Sequence, residues 1–255
     1  TVHVLDALRC YAEPEVIIVV TSDKVYENDG SGNAFRENSR LGGHDPYSAS
    51  KAATEIIVSS YRRSYFAEKG IPIATARGGN VIGGGDFSED RLIPDIVRAV
   101  SLGKIPEIRN PEAIRPWQHV LDCLDGYFTY AEALNSKHKV IPNALNFGPQ
   151  LDITAITVRT LTNSLMRFMN RKAIFSESIE GDLHEMETLC IDPSLASQSL
   201  KWEPRLKGDT ILQLTAEWYG AFIAGRNMKN ITDKQITNYI RSSIVNGPQA
   251  RPMVP

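Results

Sequence analysis

The chain opens on apolar residues at helical spacing, Val2, Leu5 and Leu8, which predict an amphipathic helix closed by Pro14. The period then changes. VIIVVT over 16–21 is β-branched and unbroken, the pattern of a strand in a parallel sheet covered on both faces. A loop rich in Gly, Asn and Asp runs from about Glu27 to Asp45, and Pro46 can open the next helix. Apolar positions at Ala49, Ala53, Ile57 and Tyr61 carry that helix to about Phe66, with Gly70 as its stop. IPIATAR over 71–77 reads as a second strand and leads into the glycine loop GGNVIGGGD over 78–86.

Helix, strand, helix, strand in alternation predict an α/β fold, a Rossmann-type doubly wound parallel sheet, in which ligands gather at the carboxyl ends of the strands. From about Leu92 the pattern loosens into short strands (Ile105 to Ile108, Ala144 to Phe147, Met186 to Ile191) and helices (Pro94 to Ser101, Asp122 to Leu134, Thr154 to Phe168, Thr210 to Ala224). These suggest a smaller α/β lobe interleaved with the last strands of the sheet.

Composition mainly excludes. Over 255 residues the formal charge is −2, with cations scattered among anions, so no basic stripe offers itself to nucleic acid. The longest purely apolar run, Val16 to Val20, is far below the roughly 18 residues a membrane helix needs. Three widely spaced cysteines without CxxC, and five histidines without HExxH or HxxxH, predict neither disulfide framework nor metal site. A reducing cytoplasm is the expected compartment.

Chemistry concentrates in YSASK. Tyr47 and Lys51 stand four apart, hence on one helical face, where an ammonium favours the phenolate and lets the tyrosine act as acid or base. Tyr65 and Lys69 repeat the spacing and serve as an internal control. Ser22, just after the first strand, lies 25 positions before Tyr47, whereas the residue equally far before Tyr65 is Arg40, in a loop. A hydroxyl at a strand's end with a phenol and an ammonium on the next helix makes a hydride-transfer site; the plainer alternative is a capping serine beside a surface Tyr–Lys pair. Arg91 immediately precedes the helical pattern LIPDIVRA. A cation there is disfavoured by about 0.3–1 kcal/mol unless an anion shares the helix end, which suggests a phosphate.

TSDKVYEN (21–28), HDPYSASKAATE (44–55), ARGGNVIGGGDFSEDRLIPDIVRA (76–99) and IRNPEAIRPWQHV (108–120) together resemble the extended short-chain dehydrogenase/reductases of the NAD-dependent epimerase/dehydratase type, and within them the CDP-glucose 4,6-dehydratase branch. The resemblance runs from Thr1 to about Trp202. It implies that residues 1–90, with returns near 117–148, are the remaining part of an NAD-binding Rossmann domain, and that 91–255 are mainly a sugar-nucleotide lobe with C-terminal helices. It implies a catalytic set of Ser22, Asp23, Lys24, Tyr47 and Lys51, with Asp23 and Lys24 as the acid and base of elimination. Thr21, Tyr47, Lys51, Gly79 and Val81 would meet NAD. Asn80, Arg91, Leu92, Ile108, Arg109, Arg115 and His119 would meet the nucleotide sugar, Arg91 and Arg115 as a diphosphate clamp, with the glycines of 78–85 letting backbone approach a ligand.

The reaction so implied takes CDP-glucose to CDP-4-keto-6-deoxyglucose for deoxysugar, O-antigen and lipopolysaccharide synthesis, in a homodimer or dimer of dimers paired through Thr1 to Tyr11 and Tyr47 to Phe66. The family's GxxGxxG turn and first strands have no counterpart before Thr1, so an N-terminally truncated record with an unpaired sheet edge at VIIVVT is expected. A sugar-nucleotide epimerase or reductase of the same fold would keep Ser22, Tyr47 and Lys51 without needing Asp23 and Lys24. A non-catalytic binding or assembly module is the reading from another class.

Overall fold

A computed structural model describes residues 1–28, 30, 32–136, 140–150, 156–178 and 190–246, side chains 243–246 excepted. In chain order the elements begin with α1 (Val2–Tyr11), β1 (Ile17–Val20), a single 3-10 turn (Asp23–Val25), α2 (Pro46–Tyr61) with a π turn (Arg62–Phe66), and β2 (Ile73–Gly78). There follow β3 (Val81–Ile82), α3 (Leu92–Ser101), β4 (Glu107–Arg109), β5 (Ile114–Arg115), β6 (Gln118–His119) and α4 (Val120–Asn135). The chain continues with β7 (Ala144–Phe147), β8 (Ile156–Thr157), α5 (Val158–Phe168), β9 (Ser176–Ser178), α6 (Ser194–Leu200), α7 (Asp209–Ile223) and α8 (Met228–Asn246). These form two compact units, Thr1–Val81 with Pro111–Val158 and Glu180–Lys207, and Ile82–Asn110 with Arg159–Ile179 and Gly208–Pro255.

The first unit is built on a parallel sheet in the order β1, β2, β7. Leu5 of α1 and Val58 of α2, with Phe66 after it, pack on Ile17 and Ile73. On the opposite face Tyr130 of α4 and Ala196 and Leu200 of α6 pack on Ala74, Ala76, Leu145 and Phe147. Helices on both faces of a parallel sheet are the Rossmann-type arrangement expected from the alternating pattern. Among the described residues β1 pairs only with β2, so it is an edge, and its burial declines from Ile17 to an exposed Val20 instead of being complete on both faces.

Helix α2 corrects one expectation. Its inward stripe is Ser48, Ala52, Glu55 and Val58, while Ala49 and Ala53 are exposed. The helix is turned so that Glu55 faces the sheet, where four hydrogen-bond donors await it; ion pairing, and not apolar spacing, sets the rotation. Other elements shift by short distances. α3 starts at Leu92, which places Pro94 inside its first turn, where its missing N–H costs nothing. The strand expected over 105–108 is β4, and the helix expected from Thr154 starts at Val158 behind β8, residues 151–155 lying outside the described set. The strand expected from Met186 falls outside it as far as 189, and Ile191 bridges in parallel to Phe35.

The second unit carries α3, β4 paired in parallel with β9, α5 from Arg159 on, α7 and α8. Its turn at Gly84 and Gly85 lies against Trp218 of α7, whose ring also meets Phe222 and Phe87. A Cβ on Gly84 would stand 2.0 Å from the indole Cγ, so close packing on Trp218, not room for a ligand, demands glycine there. No helix among the described residues is long and apolar enough to cross a membrane, and no group of three metal-ligating side chains occurs among them.

Gly84→Ala should therefore cost about 1–3 kcal/mol by overpacking. Its urea midpoint, followed through tryptophan fluorescence, is expected to fall, and a midpoint equal to wild type would show that the turn does not rest on the indole.

Candidate active site

The carboxyl end of β1 runs into Thr21, Ser22 and the 3-10 turn. Ser22 is extended at φ −163° and caps that turn, its Oγ accepting from Lys24 N at 3.2 Å and donating to Asp23 Oδ1 at 3.0 Å. Asp23 is only 3% exposed, and its Oδ2 has no partner among the described residues. That oxygen lies 3.6 Å from where a Cβ on Gly79 would stand, so the Gly78–Gly79 end of β2 and the turn after β1 meet at this carboxyl. Burial pushes the Asp23 carboxyl up to about 6 against the opposing pull of Ser22 and Lys24.

Helix α2 packs on the 3-10 turn. Asp45 is its N-cap, accepting from Ser48 N at 3.0 Å, with Pro46 in the first turn. Gly43 is needed at the entrance because a Cβ would lie 2.5 Å from that of Ser48. The Asp45 carboxyl is held below its ordinary range, mainly by Ser48 and further by the charge of Lys24, which ties Lys24 electrostatically to the start of α2. Tyr47 is 47% exposed, and Lys51 Nζ lies 5.8 Å from its ring centre. The second YxxxK is engaged elsewhere: Tyr65 meets Tyr61 edge-on and Arg9, and Lys69 Nζ donates to the Arg9 carbonyl at 2.6 Å.

Other expected residues occupy distinct settings. Thr21 Oγ1 donates to Glu55 at 2.6 Å and its N–H to the Ala76 carbonyl at 2.9 Å, so that of its polar groups the carbonyl is the one left to face a ligand. The Asn80 carbonyl accepts from Gln118 N at 3.0 Å, and Val81 is exposed. Arg115 is buried, with Nη1 donating to the Ile114 carbonyl at 3.0 Å. His119 caps α4 by accepting the Leu121 N–H on Nδ1 at 3.2 Å, and its Nε2 is buried without a partner among the described residues. Burial pushes His119 down to about 4, so near neutral pH it is an uncharged ring with its proton on Nε2. In the second unit Arg91 is the exposed N-cap residue of α3, and Leu92 opens the helix. Ile108 is buried, and Arg109 pairs with Asp90 at 3.4 Å.

The structure thus joins Ser22, Asp23 and Lys24 in one turn, sets that turn against the helix of Tyr47 and Lys51, and brings Gly79 to Asp23. Sequence reasoning passed over Glu55 and Gln118, both buried polar groups here. A carboxylate eight residues after Tyr47, and an arginine in the fully buried strand IATARG, were the available signals for a buried ion pair.

The sequence profile of the GDP-mannose 4,6 dehydratase family matches residues 1–215. The chain belongs to this family. The CDP-glucose 4,6-dehydratase of Salmonella typhimurium is 36% identical over 248 residues, 95% of this chain and 69% of that protein. The dTDP-glucose 4,6-dehydratase of Escherichia coli is 30% identical over 197 residues, 72% of this chain and 51% of that protein. Among solved structures, the dTDP-glucose 4,6-dehydratase of Bacillus anthracis in complex with NAD aligns with a TM-score of 0.70 at 23% identity, covering 86% of this chain and 65% of that one. UDP-glucose 4-epimerase of Thermotoga maritima with UDP-glucose gives 0.73 at 18%, covering 87% and 68%. The chain therefore spans about two thirds of the length of several proteins it resembles, and the dehydratase resemblance and Rossmann-type fold read from its motifs are borne out.

Asp23 allows a test that needs no substrate. Its folded value of about 6 exceeds the ordinary 3.8, so its contribution to stability is full below pH 3.8 and is lost as pH rises through about 6. At pH 8 the buried carboxylate should cost on the order of 2–3 kcal/mol. Asp23→Asn should then unfold at higher urea than wild type at pH 8, with the gap narrowing towards pH 5. Equal midpoints at pH 8 would remove the strained carboxylate from the account.

Proposed function

We propose that this chain carries the catalytic groups of an NAD-dependent CDP-glucose 4,6-dehydratase, which makes CDP-4-keto-6-deoxyglucose for deoxysugar synthesis, with O-antigen and lipopolysaccharide as its destination. The observation that carries the reading is Asp23, a buried carboxyl with a raised pKa and one oxygen without a partner among the described residues, in the same turn as Ser22 and Lys24. Oxidation alone needs the serine, the phenol and the ammonium. Loss of a hydroxyl from C6 also needs an acid, and a carboxyl at about 6 is half protonated at about pH 6 and keeps its proton in roughly a tenth of molecules at about pH 7. The similarity to the Salmonella CDP-glucose enzyme supports the choice of nucleotide.

In this mechanism Tyr47 takes the proton of the sugar's 4-hydroxyl, Lys51 stabilises the phenolate, and Ser22 hydrogen-bonds the oxygen being oxidised. Bound NAD supplies a hydride acceptor at C4 and a hydride donor at C6, and is regenerated in each turnover. The 4-ketone acidifies the C5 proton, which Lys24 removes and later returns to C5 when hydride is delivered to C6, while Asp23 protonates the departing oxygen so that water leaves. The half-exposed phenol of Tyr47, exposed Val81 and Gly79 beside the unpartnered oxygen fit a nicotinamide and hexose at this strand end, with Thr21 contributing backbone.

Arg91 at the amino end of α3 is a phosphate ligand in this reading, and Arg115 a second, with Asn80 on phosphate or sugar. Leu92, Ile108 and Arg109 serve the nucleotide, Ile108 through its backbone because its side chain is buried, and His119 orders the site. Val2, Val4 and Tyr11 on α1, and Ala49, Ala53 and Ile56 on α2, leave apolar surface exposed, which supports pairing of two copies through these helices.

A nucleotide-sugar 4-epimerase is the second reading, favoured by the likeness in fold to UDP-glucose 4-epimerase. Incubating the full-length protein with CDP-glucose separates them: a 4-keto-6-deoxy sugar lighter by one water is expected, and an inverted hexose of unchanged mass would establish the epimerase. Tyr47→Phe should lower oxidation at least ~100-fold while sugar-nucleotide binding persists. Lys24→Ala should accumulate the 4-ketoglucose without dehydration, and normal water loss in that variant would exclude lysine as the base.

A further inference from the structure

Glu55 follows Lys51 by four residues and Tyr47 by eight, so the three share one face of α2, about 6 Å and 12 Å apart along its axis. Glu55 is 5% exposed, and every lone-pair direction of its carboxylate is taken. Oε1 accepts from Thr21 Oγ1 at 2.6 Å and Arg77 Nε at 3.0 Å, and Oε2 from Thr75 Oγ1 at 2.7 Å and Arg77 Nη2 at 2.8 Å. Arg77 Nη1 donates onward to the Tyr26 hydroxyl at 2.8 Å and the Glu37 carbonyl at 3.1 Å, and Tyr26 donates to Asn146 Oδ1 at 2.7 Å. Burial pushes the Glu55 carboxyl upward, yet the bonds from Arg77, Thr21 and Thr75 outweigh it and hold the group below its usual range.

The donors come from particular places. Thr21 directly precedes Ser22, and Arg77 directly precedes Gly78 and Gly79. One carboxylate therefore ties the helix of Tyr47 and Lys51 to both strand ends that meet at Asp23. A buried ion pair adds little stability over an apolar pair of the same volume, and its better-attested use is to fix one register among several. An apolar contact would hold α2 on the sheet while letting it slide along its axis; a forked pair with four bonds does not.

We propose that Glu55 and Arg77 are positioning residues of the reaction, setting the axial placement of the phenol and ammonium of α2 against the Ser22–Lys24 turn and Gly79. The proposal rests on the dehydratase reading for its kinetic readout and on α2 alone for its second readout. Glu55→Asp keeps both acceptor oxygens and the charge but shortens the arm by one methylene, about 1.5 Å. Arg77→Lys keeps the charge and loses the fork.

In the full-length protein with NAD and CDP-glucose, each variant should lose ten- to a hundredfold in kcat per folded molecule, with KM within threefold of wild type, since misplacement by about 1 Å costs rate more than affinity. Amide hydrogen exchange, without substrate, should rise at 22–26 and 46–52 and stay unchanged in α4. If wild type turns over and the variants keep its kcat, the pair is structural only and the proposal is overturned. If wild type forms no keto sugar, the dehydratase reading fails by itself, and exchange decides: faster exchange confined to those segments supports positioning, and unaltered exchange overturns it.

Discussion

Strand β2 is buried along its whole length, and its twofold alternation decides which helix layer each side chain meets. Ile73, Thr75 and Arg77 face α2, where Ile73 joins Leu5 and Val58, and Thr75 and Arg77 reach Glu55. Ala74 and Ala76 face α4 with Gly78, whose missing Cβ makes room for the Tyr127 hydroxyl, 2.5 Å from where that atom would stand. A slip of one residue would drive the guanidinium into the aromatic cluster of Tyr130, Phe147 and Trp202 and leave Glu55 facing alanine. That constraint fixes the register of β2, and with it the level at which the residues after β1 and β2 emerge at the top of the sheet.

The parts legible in the sequence are those where one period runs long enough to be read. α1, β1, β2 and the full reach of α2 with its π turn followed from apolar spacing, and β7 from its own short apolar run. Strands β3, β5, β6 and β8 have two residues each, too few to show a period, and are held by partners distant in the chain. α8 carries alternating polar residues and little buried surface, so no apolar face announced it. The rotation of α2 was misread for a different reason: Ala49, Ala53 and Ile57 made the more apolar stripe, yet Glu55 outweighed them because an ionised carboxylate can enter the core only where its donors stand.

The candidate site was legible as a set of residue types at set spacings, and less so as environments. Ser22, Tyr47 and Lys51 were distinguished from the second YxxxK by the strand that precedes the serine, and the structure gives Tyr65 and Lys69 to α1. Nothing in the letters Asp23 tells that its carboxyl is nearly sealed from water, because that depends on chain brought to it from far along the sequence, Gly79 more than fifty residues away among it.

Two adjacent hydroxyls complete the logic. Successive residues at a strand end point to opposite sides, so Thr21 gives its hydroxyl to Glu55 and Ser22 gives its own to Asp23. Glu55 receives four donors, two of them from a guanidinium, and stays ionised despite its burial. Asp23 receives the serine hydroxyl and backbone N–H groups of its own turn but no cation's hydrogen bond, its Oδ2 has no partner among the described residues, and burial wins. Two carboxyl groups on neighbouring elements are thereby driven in opposite directions by the number and charge of the donors each is offered, so that one stays a permanent anion while the other can take up a proton near pH 6.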